Sequence, residues 1–331
     1  MLNHLNGGYG MLAAFVASCG IPTFGKIFLV IPTADPNYDR ISDIFKTDPE
    51  GKVRVFTTIS AAYDATTTNA HDVILISANA AHAQTAMLDI SKNRVHFIGM
   101  DGRRRMNGIG IGARARITMG VTTAATDIAV LKNTGVGNTF TNLKFDSANT
   151  KAESIYAVAD GGEYTIWDNC EFYKSTDLDV TAAAEVLNNA DSAQWLNCVF
   201  GSSANESVGA VIRPCMSVTA TLDGKKCRDN FISHCLFLSK AGNTAKTDIY
   251  GANATDVERM LLIENSIFMS NKLGAATPAH AVGFGSAQTE GSVILKNCTS
   301  VDHTVMAKAA VGIYVDGAVP TFATAGVAVL S

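Results

Sequence analysis

The chain has 331 residues, 47% of them apolar and only 17% charged, with a formal net charge of −4. That balance is too apolar and too weakly charged for a disordered chain, and the lack of a long basic run argues against nucleic acid as a partner. Ala, Thr, Ser, Asn, Gly and Val outweigh the Glu, Lys and Leu of a helical protein, which suits many short strands joined by polar turns.

Residues 1–50 read as an N-terminal arm or docking segment. Two glycine-rich stretches, Gly7–Gly10 and Gly20–Gly25, precede one strand-like run, Lys26–Ile31, and a turn-rich segment from Pro32 to Pro36. Val16-Ala17-Ser18-Cys19 matches a lipoprotein cleavage box only superficially, because no Lys or Arg precedes the apolar run. No stretch is long enough to span a bilayer, so no membrane partner is expected.

The main body is expected over residues 51–315. Thr57 or Thr58 is placed to cap a short helix, Ile59–Ala65. An apolar strand follows at Asp72–Ser77, and the helix would close the open end of the first strand layer. Further strands are predicted at Asn93–Gly99, Ala115–Met119 and Asp127–Leu131.

From residue 140 a repeat takes over. Its units are Phe140–Phe145, Trp167–Phe172, Trp195–Phe200, Ile232–Phe237, Ile263–Phe268 and Leu295–Ser300. One column reads Asn142, Asn169, Asn197, His234, Asn265, Asn297, spaced by 27, 28, 37, 31 and 32 residues. The next column holds Cys170, Cys198, Cys235 and Cys298, with Leu143 and Ser266 at the remaining positions. Three residues past each Asn come Phe145, Phe172, Phe200, Phe237 and Phe268; the sixth unit has Ser300 there. The Cys and Phe columns are two apart and share a face of one strand. The apolar column two before Asn shares that face only if the chain bends at Asn, which tolerates the left-handed conformation such a bend needs.

These columns predict an all-β right-handed parallel β-helix, a single-stranded solenoid with a short N-terminal capping helix, followed by a C-terminal tail or cap over 316–331. The repeat residues are read as structural. The outlook of Trp167 and Trp195 stays open: inward if the chain bends at Asn, outward and available to a sugar if it does not.

The remaining residues offer few groupings with the spacing that chemistry needs. Seven cysteines without a CxxC pair exclude zinc-finger spacing and fit reduced, buried thiols. Asp177 and Asp179, near Lys174, are the best acidic pair but belong to a loop. His280 and His303 read as isolated, and His234 as a corner residue. Arg103-Arg104-Arg105, with Arg114 and Arg116 nearby, reads as a solvated cluster. Gly108–Gly112 and Gly283–Gly285 read as turns without a phosphate-loop context. No cofactor, no metal and no enzymatic activity are expected from this set.

The repeat, with Phe56–Ala62 and Asp72–Ile76 before it, resembles the pectate-lyase-like β-helix superfamily over about residues 50–315. More narrowly it is similar to β-helix proteins encoded among the virion genes of tailed bacteriophages. That resemblance implies a homotrimeric structural protein of the virion, a capsid decoration or accessory protein assembled in the host cytoplasm. Its partner would be the major capsid protein or another virion protein, held through the N-terminal segment. It also leaves a depolymerase, lyase or adhesin acting on a bacterial surface glycan as the alternative.

Overall fold

The computed structural model describes residues 8–21, 24–45, 48, 51–100, 105–106, 109–110, 114–120, 126–148, 155–174, 183–202, 213–219, 222–271, 276–308 and 312–316. Arg103, Arg104, Gly108, the acids Asp177 and Asp179, and the tail beyond Asp316 lie outside the described residues.

Three parallel sheets of eleven, eight and eight strands wind into a right-handed β-helix. The chain runs along a strand of sheet 1, turns a tight corner into sheet 2, crosses to sheet 3 and returns. Each strand pairs in parallel with its counterpart one coil on. Phe140 faces Trp167 and then Trp195 in sheet 1. Phe145, Phe172, Phe200, Phe237 and Phe268 are in register in sheet 2.

The corner is where the Asn column sits. All six residues have positive φ, between 49° and 59°, a region that Asn enters at low steric cost. The bend turns the two flanking columns to the same side, and both fill the interior. Rings of Phe97, Phe140, Trp167 and Trp195 stack at centroid distances of 5.0, 4.0 and 5.1 Å. A second stack runs from Phe145 to Phe268 at 4.7–5.8 Å. Trp167 and Trp195 are fully buried, so neither is a platform for sugar.

The N-terminal region is built onto this body. Helix α1, Gly8–Ser18, and helix α2, Tyr38–Phe45, lie on the outer face of sheet 1, where Val16, Ile21, Leu29, Ile31, Val73, Leu75 and Ile98 form a small separate core. Part of the segment expected to be an arm is therefore a layer of the solenoid. Ile27–Val30 is inserted in sheet 1 between Val55–Phe56 and Val73–Ser77. Its alternation, Phe28 and Val30 inward, Leu29 and Ile31 outward, gives both cores a partner.

Helix α3, Ile59–Asp64, closes the N-terminal end of the interior with Ile59, Ala62 and Tyr63. Thr58 is its N-cap, its hydroxyl oxygen accepting from Ala61 N at 3.3 Å. Lys92 closes the other end: its ammonium donates to the carbonyls of Tyr63, Asp64 and Thr66 at 2.8, 3.0 and 2.9 Å. Among the described residues no helix is long and apolar enough to cross a membrane.

Candidate functional site

The Cys and Phe members of the repeat face the interior, while the Asn members stand at the corner, His234 and Asn297 exposed there, and bond to neighbouring groups. Asn169 Nδ2 donates to Asn142 Oδ1 at 2.9 Å, and Asn297 Nδ2 to Asn265 Oδ1 at 2.7 Å. Asn197 Nδ2 reaches Asp168 Oδ1 at 2.9 Å, and His234 Nδ1 lies 2.8 Å from Ser233 Oγ. The thiols serve the corner too. Cys170, Cys198, Cys235 and Cys298 each point at the carbonyl two residues before the Asn of the preceding coil, Phe140, Trp167, Trp195 and Ile263, at 3.3–3.5 Å. Burial pushes the Cys170 and Cys198 thiols well up, so these sulfurs stay protonated and unreactive.

A second polar ladder marks the turn from sheet 3 to sheet 1. Asn133 Nδ2 donates to Asp160 Oδ1 at 2.8 Å, and Trp167 Nε1 to Asp160 Oδ2 at 2.7 Å. Burial raises the Asp160 carboxyl, against the pull of these donors. Asn133, Asp160 and Asn188 stand in register, 27 and 28 residues apart. The same period as the Asn column would have exposed them in the sequence, had residue identity not varied.

Outside the interior, one cleft gathers charge. It encloses about 260 Å³ beside that turn and is lined by Glu163, Asn189, Asp191, Lys225, Arg228 and Glu258, among others. Glu163, Asp191 and Arg228 form single-residue parallel bridges in successive coils. Arg228 pairs with Asp191 and lies 3.8 Å from Glu258; Lys225 lies 3.7 Å from Glu163. Asn189 is fully buried and donates to Lys225 O at 3.1 Å, but its Oδ1 has no hydrogen-bond partner among the described residues. Arg228 Nε is likewise unpartnered. Tyr164, next to Glu163, is 63% exposed.

A third group lies where sheet 2 crosses to sheet 3. Lys174, Glu185, Arg213, Cys215, Lys246 and Asp248 are all buried. Burial, with the Arg213 guanidinium near, pushes the Lys174 amine down to about 8, while Glu185 pulls it up. Lys174 faces the interior side of its strand rather than a solvated loop. His303, which reads as isolated in the sequence, is not: its Nε2 stands 2.9 Å from Asp248 Oδ2. Arg114, expected to be solvated, is buried too; it donates to Asn169 O at 2.8 Å and to Glu171 at 2.8 Å. Arg116 does stand half exposed, paired with Asp146 at 2.5 Å.

The N-terminal region presents a different surface. Of the seven large apolar or aromatic side chains exposed among the described residues, four fall in the first 53 residues: Phe15, Phe24, Ile44 and, just past the 1–50 segment, Val53, with Phe24 at 88%.

No family model matches the chain, and no curated protein matches its sequence. Solved structures do match its coil architecture. A pectin methylesterase in complex with hexasaccharide VII shares 13% identity, over 91% of this chain and 92% of that one, with a TM-score of 0.47. Pectin methylesterase PemA from Erwinia chrysanthemi shares 12% over 90% and 82%, with a TM-score of 0.45. An alginate lyase from Paenibacillus sp. shares 8% over 77% and 95%, with a TM-score of 0.33. The parallel β-helix of this chain is carried by its own three stacked sheets. These neighbours are enzymes, and that overturns the expectation that the chain is not one. The inference failed because it required a signature of clustered acids in the sequence, and coils of this kind are shared with enzymes.

Proposed function

We propose that the chain is an accessory structural protein of a tailed-bacteriophage virion, attached through its N-terminal region. The observation that carries this reading is the concentration of exposed apolar side chains there. Phe15, Phe24, Ile44 and Val53 lie within 39 positions of each other on a layer already fixed to sheet 1. Exposed apolar side chains concentrated in one stretch of the chain suit a contact with another protein. The partner is the major capsid protein or another virion protein, the assembly is a homotrimer, and the location is the particle, by the resemblance of the repeat to virion β-helices. Removing residues 1–30 would also pull Ile27–Val30 out of sheet 1, so the surface is better tested by substitution. Phe15, Phe24, Ile44 and Val53 are changed together to Ser, and purified particles are analysed by mass spectrometry. The folded variant is expected to be missing from particles that contain the wild type. Absence of the wild-type chain from particles, or normal incorporation of the variant, would sink the reading.

The cleft favours a second reading, recognition of a bacterial surface glycan. Amide, carboxylate and guanidinium groups beside an exposed Tyr164 suit sugar hydroxyls and a sugar face. Binding on a glycan array that disappears in Arg228→Ala and Tyr164→Ala supports it; an array without signal removes it.

A further inference from the structure

The outward faces of sheets 1 and 2 turn apolar in the last coils. On sheet 2 the side chains that alternate with the inward Phe column point away from the core. In the early coils one outward column is charged, with Arg116, Lys144 and Glu171 in register. Val199, Leu236 and Ile267 continue that column, and Leu238, Met269 and Val301 stand in the column beside it. Beyond Glu171 and Tyr173 neither column carries a charge. Val199 is buried and Leu236, Leu238 and Ile267 are half-buried, while Met269 and Val301 are 37% and 38% exposed.

Sheet 1 changes in the same way on the other side of the Asn corner. Its outward column reads Phe231, Leu262, Ile294 and Tyr314, in register and half-buried. In the first coils the outer face of this sheet is packed under α1 and α2. These four side chains, by contrast, belong to none of the hydrophobic cores formed by the described residues.

We propose that the two faces are where copies of this chain meet, the sheet 2 face of one packing on the sheet 1 face of the next around a three-fold axis. The number three rests on the homotrimer reading above; the choice of faces does not. Period selects the partner. Side chains on each face repeat at the strand spacing, about 4.8 Å. A partner that matches several rungs at once needs the same period, and a second copy of the solenoid has it. No like charges oppose the match across the sheet 2 face. Height selects the symmetry. Phe231 and Leu236 share one coil, and Leu262 and Ile267 the next. A copy joined through these faces is rotated about an axis along the solenoid without being shifted along it, which closes a ring rather than extending a filament. The ring also leaves the N-terminal regions of all copies at one end.

Area decides between a pair and a ring. Each face spans three to four rungs, about 15–20 Å along the axis and about 13 Å across, or about 200–250 Å². One contact then buries about 400–500 Å² counting both sides, short of the roughly 1,000 Å² of a stable pair, whereas three contacts bury about 1,200–1,500 Å². The dimer should therefore not accumulate on the way to the trimer.

The test weighs the full chain by light scattering after size exclusion and by native mass spectrometry. Wild type is expected at three chain masses. Met269→Glu with Val301→Glu places charges at positions already exposed, and should give a folded monomer with an unchanged melting temperature. Ile294→Glu, on the sheet 1 face, should also give a monomer. Mixed in equal amounts, the two variants retain one intact pair of faces and should cross-link to dimers, which neither forms alone. A trimer that survives in the Met269/Val301 variant, or sheet 2 variants that still associate with one another, overturns the choice of faces and leaves the homotrimer standing. A wild type of any other mass overturns both.

Discussion

At the residue scale the corner explains why the repeat has the letters it has. Asn supplies a left-handed bend and an amide that bonds to the next coil. The following position takes a small side chain that can give and take a hydrogen bond in five of the six units, with Leu143 filling it in the first. Cys198 does this: its thiol donates to Trp167 O at 3.5 Å, and its own N–H points to Cys235 Sγ at 3.4 Å. Ser266 fills the same place in its coil, its Oγ accepting from Cys235 N at 3.1 Å. Cys198→Ser is therefore expected to change stability little. Cys198→Val should cost about 1–3 kcal/mol by leaving buried backbone groups without partners, as read by denaturant melts of the two variants.

His96 sets an acid limit. Burial, with His71 stacked against it at 5.4 Å, pushes its imidazole down from 6.5 to about 4. The unfolded chain then binds the proton more readily than the folded one. Stability should be level above pH 6.5 and fall as pH drops from there to about 4, by about 3 kcal/mol in all. Thermal melts across that range check it, and His96→Gln should flatten the slope. A melting temperature that does not move between pH 7 and 4.5 would refute the assignment.

The Asn and Phe columns were legible before any coordinates because identity and spacing agree. The Asn133–Asp160–Asn188 ladder has the same spacing but mixed letters, so pattern alone passed over it. The His303–Asp248 contact was not legible at all. It joins residues two coils apart in the stack, and only the direction of a side chain brings them together.

At the element scale, the strands that read as strands are those with apolar columns. What the sequence hid is how Ile27–Val30 is used. A lone apolar run after glycines looks like an arm; it becomes a sheet strand because both its faces are apolar and both find a core. Helix α3 was legible through Thr58 and its apolar face, and its end within one residue, yet the group that satisfies that end was not. No glycine ends it; Lys92, 28 residues beyond Asp64, does. The ammonium also sits 4.8 Å from the Tyr63 ring centroid. Lys92→Met should retain the aliphatic stem and lose about 1–3 kcal/mol from the charged hydrogen bonds and the helix dipole. Amide exchange in 59–65 should accelerate while the strands of sheet 2 keep their protection; uniform acceleration throughout the chain would mean the cap does not act locally.

For the whole molecule, each coil packs chiefly on its neighbours, with a few side chains reaching two coils away, so stability is close to a sum of similar interfaces with α3 at one end. Distinct features are spread along that axis: exposed apolar side chains at the N-terminal layer, a charged cleft in the middle coils and a break in the Phe column at Ser300. Coil architecture was readable from one repeat, whereas the charged cleft and the break at Ser300 lie where coils depart from it, at turns of unequal length and at a missing Phe.

Those unequal lengths have a mechanical consequence. Corner to corner the coils hold 27 to 37 residues, yet Trp195 and Ile232, which precede the corners of the longest rung, stay in register. A molecule pulled by its two ends should therefore give way one rung at a time. Its force trace should show a short series of unequal steps, each releasing about 100–130 Å of slack, with the longest from the rung between Asn197 and His234. One abrupt release of the whole length would mean that the rungs are locked together rather than merely stacked.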